Sequence, residues 1–276
     1  MLKKFYFMAS LLLTGTIAVA QPEPGTFSIT PRIGITATTL TDDASLTIPF
    51  MWHRDTPSDT YVSYGSGLNS AYSTRQLNET EYQMALAGAV DLQWNYNERW
   101  SFVSGIGYSM QGCKYKTDSY QPKATNEIIK DGTWDTKDVK MNLHYLSVPV
   151  MAKFYVGHGF ALNAGLQFDW LLQSYLKSHL GYYCEYMDTY YFAYVSESWK
   201  QSVFGGVHER NMKNKVDDSF YRFALSLPVG FSYEYKRYVA DMRANIGLSD
   251  ISDNKGAARN LGFMFTLGYR FDFKIQ

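Results

Sequence analysis

Residues 84–94 read MALAGAVDLQW. Met84, Leu86, Val90, Leu92 and Trp94 fall on even positions and are bulky and apolar, whereas Ala85, Ala87, Ala89, Asp91 and Gln93 fall on odd ones and are small or polar. A period of two sends these sets to opposite faces of a β-strand. The stretch is too short for a spanning helix, which needs about 20 apolar residues, but a tilted strand of a transmembrane barrel crosses in about 9–11. On this reading Met84, Leu86, Val90 and Leu92 meet lipid, Trp94 marks the periplasmic interface, and Asp91 is tolerated because it points inward with the alanines.

The alternation recurs along the chain. Phe27, Ile29, Ile33 and Ile35 oppose Ser28, Thr30, Arg32 and Gly34; Trp100, Phe102, Ile106, Tyr108 and Met110 oppose Ser101, Gly105, Gly107, Ser109 and Gln111. Leu146, Val148, Val150, Phe154 and Val156 are followed, after the minimal turn GHG, by Phe160, Leu162, Leu166, Phe168 and Trp170. Phe223 to Tyr233, Tyr238 to Leu248 and Leu261 to Phe271 complete the set. Short turns (NYNER, GHG, Lys236–Arg237) alternate with long polar segments at about 40–78, 117–138, 174–217 and 250–259. The expected fold is therefore all-β: an eight-stranded antiparallel up-and-down transmembrane β-barrel with short periplasmic turns and long extracellular loops. A lipocalin-like soluble barrel would turn the bulky face inward, and a soluble sandwich has no reason to send its long loops to one end.

Composition agrees. The chain has 276 residues, zero formal net charge and 17% aromatics, so no nucleic-acid partner is indicated and β structure is favoured. A mean hydropathy of −0.28 excludes an ordinary helical membrane protein but not a barrel, whose lumen-facing residues lower the average. MLKK, the apolar run FYFMASLLLTGTIAVA and the small residues before Gln21 read as a cleaved signal peptide over residues 1–20, leaving 21–276 as an exported outer-membrane barrel domain. No Cys follows the run to carry a lipid anchor.

The polar parity holds ten charges, five of each sign: Arg32, Asp91, Lys153, Asp169, Arg222, Glu234, Asp241, Arg243, Arg270 and Asp272. An eight-stranded barrel is just wide enough for its side chains to fill it, and a balanced set can pair there where a lone charge would be costly. Glu234 and Asp272, near the periplasmic end, are expected to stay solvated at the rim. The expected lumen network is thus Arg32, Asp91, Lys153, Asp169, Arg222, Asp241, Arg243 and Arg270, closing the lumen against diffusion. Pro149 and Pro228 fall inside strands and predict local bulges. Two aromatic belts are expected, with Trp94, Trp100, Phe154, Phe160, Tyr233 and Tyr238 at the short-turn end and Tyr82, Tyr108, Trp170, Tyr221 and Phe263 at the other.

The strand pattern, HYLSVPVMAKFYV before a tight turn, and the closing NLGFMFTLGYRF resemble the PorT-like outer-membrane β-barrel family of Bacteroidetes, which is similar in architecture to OmpA/OmpX barrels. The resemblance covers roughly residues 27–273 and implies insertion by the barrel assembly machinery, among outer-membrane lipids and lipopolysaccharide. Its motifs specify fold more than role. The C-terminus, FDFKIQ, carries Lys274–Gln276 beyond the aromatic residue on which many such barrels end.

No chemistry-bearing set stands out. His53, His144, His179 and His208 are scattered, and His144, the best placed at an outer rim, has no Ser and carboxylate at hand, since Ser147 has the opposite parity. No catalytic, metal or cofactor residue is expected, and no enzyme. Cys113 and Cys184 are the candidate disulfide over the barrel mouth, or else two independent thiols. The candidate contact surface is the Tyr-rich third long loop, with Tyr182, Tyr183, Tyr186, Tyr190, Tyr191, Tyr194 and Trp199, suited to an extracellular protein or glycan partner; alternatively these tyrosines extend strands five and six above the membrane as a hairpin, which would present the same aromatics. The expected role is structural or surface interaction, with a small porin or transport component as the alternative and a rim-located lipid-modifying enzyme behind both.

Overall fold

In the computed structural model, residues 23–42, 46–49, 74–77, 79–117, 129–186, 207–253 and 257–273 are described. The expected signal peptide, His53 and Lys274–Gln276 lie outside them, as do Tyr190, Tyr191, Tyr194 and Trp199. The main strands are β1 (Phe27–Asp42), β2 (Gln83–Asn95), β3 (Trp100–Tyr115), β4 (Ile129–Gly157), β5 (Phe160–Tyr186), β6 (Phe223–Tyr235), β7 (Tyr238–Gly247) and β8 (Ala258–Tyr269). Each pairs antiparallel with the next, β8 pairs with β1, and β5 pairs with β6. The eight strands therefore form a closed ring, and a closed ring leaves no unpaired edge to face lipid. Phe271–Phe273 prolongs the closing seam against β1.

Burial settles which face is wet. Ile33 (68%), Leu86 (67%) and Met84 (63%) are exposed on the outside, while Asp91 (6%), Arg243 (4%) and Glu234 (2%) are buried within. Large apolar residues on a protein's outer surface indicate an apolar solvent. The inner belt is a run of ring contacts: Trp94–Tyr96 at 5.6 Å, Trp100–Phe154 at 4.9 Å, Phe160–Tyr233 at 4.6 Å and Tyr238–Tyr269 at 5.5 Å. Tyr82 and Phe263 meet at 6.1 Å in the outer belt. The tight turns need left-handed backbone at Gly157, His158, Gly159 and Lys236.

Two expectations are corrected. The long segments at 117–138 and 174–217 are not wholly irregular: β4 begins at Ile129, β5 runs on to Tyr186, and Val207–Lys215 forms a further strand along β5. Together they make a three-stranded sheet beyond the outer belt. Nor is there a bulge at Pro149 or Pro228. The β3–β4 ladder keeps one register across Pro149 (Ser104↔Val150, Gly107↔Ser147), and the β5–β6 ladder does so across Pro228 (Ser226↔Gln167, Val229↔Ala164). That register sets Pro149 opposite Gly105 and Pro228 opposite Gly165, so the sheet loses rungs without slipping. At Gly105 a Cβ would lie 2.4 Å from the Val90 carbonyl oxygen, so only glycine permits this close approach of β3 to β2.

The polarity of the strands inverts along their length. On β4, Val148 and Val150 face out with Ser147 and Lys153 inside. Nearer the outer end the same inward parity carries Tyr145, Leu143, Met141 and Val139, all buried, while His144 and Lys140 occupy the outward parity. Across β5 the register shifts between His144 and Tyr145, beside the outward Leu172. Below that level the protein is apolar outside and polar inside; above it, the arrangement is that of a water-soluble β-protein.

Candidate functional site

The lumen is closed by three layers. Innermost, next to the short turns, Glu234 accepts from Lys153 and Arg270 and, at 2.9 Å, from the Tyr155 hydroxyl. Gln93 donates to Tyr155 at 2.8 Å and to Asn95 at 2.7 Å, and Asn95 donates to Thr26 at 2.8 Å. Arg270 also meets Asp272 at 2.9 Å. These groups converge from β2, β4, β6 and the end of β8.

In the middle, Arg32 grips Asp91 with two nitrogens, at 2.8 and 3.2 Å. Arg243 bridges Asp91 (3.2 Å) and Asp241 (2.6 Å), and Asn163 donates to Asp241 at 3.0 Å. Every carboxylate here has a guanidinium partner, which offsets the several kcal/mol that burying each ion costs. The absent Cβ of Gly105 matters again, since it would lie 3.1 Å from Asp91 Oδ1. Between these two layers remains a void of 20 Å³ lined by Arg32, Gln93, Lys153 and Arg243 among others, room for about one water.

Outward of the ions stands Asp169, buried without a cationic partner among the described residues. Ser147, Ser226 (2.8 Å) and Gln167 (2.8 Å) donate to it. Above it lies an apolar plug of Tyr145, Leu143, Leu171, Met141, Val139, Cys113, Tyr115, Leu40, Leu77, Ala224, Ile251 and Ala258. Asp217 and Asp250 fasten the segments around this plug. Asp217 accepts from Ser174 backbone nitrogen (2.7 Å) and hydroxyl (2.9 Å) and from Lys215 (2.9 Å). Burial works against its ionisation, but the hydrogen bonds from Lys215 and Ser174 outweigh it and hold its pKa below the usual carboxylate value.

Arg32, Asp91, Lys153, Asp241, Arg243 and Arg270 thus lie in the lumen, and Asp169 lies there apart from any cation among the described residues. Arg222 does not: it precedes β6, which starts at Phe223, and is exposed. Glu234, expected to be solvated, is instead the buried centre of the inner layer, while Asp272 is 43% exposed. Cys113 is a free, buried cysteine. It pairs with Met141 on β4, whereas Cys184 pairs with Gly132, nine residues (141 − 132) away along the same strand. That is roughly 30 Å, against the ~7 Å limit between Cα atoms for a disulfide, so the two cannot bridge. Tyr182, Tyr183 and Tyr186 belong to β5, where they pair with Trp134, Thr133 and Ile129 in the outer sheet. His144 stands on the outer surface with its Nδ1 2.6 Å from the Tyr108 hydroxyl.

A closed antiparallel ring with a lipid-facing exterior is the setting in which the sequence comparisons acquire meaning. A family model described as "Outer membrane protein beta-barrel domain" matches residues 19–253. The chain belongs to that family. Its place is accordingly the outer membrane. No curated protein matches this outer-membrane barrel. Among solved structures, it is similar to the attachment invasion locus protein Ail of Yersinia pestis, with 13% identity, a TM-score of 0.36, and coverage of 90% of this chain and 99% of that one. Neisserial surface protein A follows with 10% identity, a TM-score of 0.33 and coverage of 90% and 97%. OprG from Pseudomonas aeruginosa has 8% identity, a TM-score of 0.31 and coverage of 92% and 99%.

Proposed function

We propose that this outer-membrane barrel is a closed, non-catalytic protein that works through its extracellular side, in a structural or surface-interaction role. The observation that carries this reading is the filled lumen: a paired ionic network and an apolar plug stand in series, with a 20 Å³ void between the ionic layers. A hydrated ion path needs a continuous polar opening, and the plug offers none. The outer sheet of β4, β5 and Val207–Lys215 supports the second half of the proposal, since it carries Tyr182, Tyr183 and Tyr186 well beyond the membrane for a protein or glycan partner.

The finer family assignment, a PorT-like barrel of Bacteroidetes exported by a cleaved signal peptide and inserted by the barrel assembly machinery, belongs to the same proposal. It rests on HYLSVPVMAKFYV, on NLGFMFTLGYRF and on the N-terminal run. Single-channel recording of the full-length protein in a planar bilayer tests the closed lumen. The expected trace shows no steady step; a reproducible unitary conductance would overturn the closed lumen in favour of a small porin or transport component. An altered lipid A profile on expression would replace the non-catalytic reading with a lipid-modifying enzyme.

A further inference from the structure

The register of the outer strands aligns lysines. Lys114 pairs with Lys140, Lys140 with Lys177, and Lys177 with Lys213, so four strands place like charges side by side on the outward face. Directly opposed like charges destabilise a sheet unless an anion lies between them. Lys114 is partly offset, by Asp138 at 3.7 Å and by Glu81, its register partner on the other side. Lys213 sits 4.0 Å over the Tyr175 ring. Lys140 and Lys177 have no carboxylate partner among the described residues.

The height of the row is informative. Fourteen residues (154 − 140) separate Phe154, in the inner belt, from Lys140. At about 3.3 Å each and a tilt near 40° they rise roughly 35 Å, some 10 Å above an apolar band of about 25 Å. The row therefore stands at the level of outer-leaflet head groups. Beneath it, on the same flank, an open apolar groove of 320 Å³ is lined by Gly88, Val90, Ile106, Tyr108 and Leu146. Tyr108 and Leu146 lie six residues below Lys114 and Lys140 on their strands (114 − 108, 146 − 140).

We propose that this flank binds a phosphorylated, acylated lipid of the outer leaflet, its phosphates on Lys140, Lys177 and Lys213 and an acyl chain in the groove beside Gly88. Lysine supplies a point charge on a flexible stem, which suits phosphate groups of varied position. Gly88 leaves the groove open, since a Cβ there would meet only the Arg32 carbonyl oxygen, at 3.6 Å. The site depends on membership of the outer-membrane family and is independent of the closed lumen.

The test titrates the folded, full-length protein in non-ionic detergent with three probes: bisphosphorylated lipid A, its dephosphorylated form, and the phosphorylated disaccharide without acyl chains. Bound stoichiometry and affinity are read by native mass spectrometry. The unmodified protein should hold the bisphosphorylated lipid at least tenfold more tightly than either of the others. The triple change Lys140→Ala, Lys177→Ala, Lys213→Ala should remove that advantage, and arginine at the same three positions should restore it. Gly88→Leu should weaken the acylated lipid and leave the deacylated phosphate unaffected. Equal binding of phosphorylated and dephosphorylated lipid by the unmodified protein would overturn the proposal. So would a folded triple-alanine protein within twofold of its parent. Neither result would alter the conductance measurement, so a failure here is distinct from a failure of the closed lumen.

Discussion

The two ends of the lumen are closed by opposite chemistry. Near the periplasm, Glu234, Lys153, Arg270, Asp91, Arg32, Arg243 and Asp241 form a bonded lattice, with a few buried apolar side chains such as Val103, Met151 and Val239 between its members. Near the outside, Tyr145, Leu143, Met141 and their neighbours form an ordinary apolar core. The difference tracks what bathes the outside of the wall. Where lipid surrounds the strands, most bulky apolar residues point outward and the inside is left mainly to polar groups, which must satisfy one another. Where water surrounds them, the apolar residues turn inward and the hydrophobic effect operates as in a soluble domain.

The largest test of this contrast is Glu234→Leu. It leaves Lys153 without its carboxylate in a buried site and Arg270 with Asp272 alone, and breaking such a buried pair costs about 3–5 kcal/mol. Urea unfolding in lipid should show a global loss of that size, little changed by salt because the charges are screened from solvent. Leu143→Ala at the other end should cost about 2–4 kcal/mol through its cavity. Its signature should differ: hydrogen exchange should rise in the outer sheet and stay slow in the spanning strands. Equal exchange at both ends would show the lumen to be one cooperative unit.

Two smaller effects locate the boundary. Ile33→Lys, on the lipid face, should cost about 2–4 kcal/mol near the midplane, whereas Lys177→Leu, above the belt, should stay within about 0.5 kcal/mol. Similar costs for the two would abolish the inversion. The smallest effect is a pH dependence outside the membrane. The Asp217 pKa is depressed in the folded protein. Its anchoring of Ser174 is therefore complete above the unfolded carboxylate value near ~3.9 and is lost as pH falls through the lower folded value. Exchange of the Ser174 amide should accelerate only in that acid window, and an onset near neutrality would contradict the assignment.

Much of this was legible in residues 84–94 and their counterparts, because a period of two with one continuous bulky face leaves few alternatives. The outer extension was harder to read for a physical reason. Residues 139–145, VKMNLHY, alternate as cleanly as the membrane strands but with the apolar residues on the other parity, so the phase flips at Tyr145–Leu146. The single apolar phase that begins at Leu146 does not extend to these residues, which also lie beyond the polar segment expected at 117–138. Glu234 was misplaced because its position near a turn suggests solvent, while its burial comes from Lys153 and Arg270, which only the closed ring brings to it. Arg222 shows the reverse: parity pointed it inward, but β6 starts one residue later. The Cys113–Cys184 pairing failed because an extended hairpin separates residues that a compact loop would have brought together.

A depth scan along β4 tests the inversion most directly. Single cysteines would be introduced from position 139 to 153, with Cys113 and Cys184 replaced by serine, and spin-labelled in native-like lipid. Oxygen and water-soluble relaxation agents should then report each environment. Positions 146, 148 and 150 should be oxygen-accessible, position 140 water-accessible, and positions 141, 143, 145 and 151 closed to both. Oxygen access at the odd positions, or an unbroken lipid signature from 150 to 140, would contradict a strand that changes solvent part-way along its length.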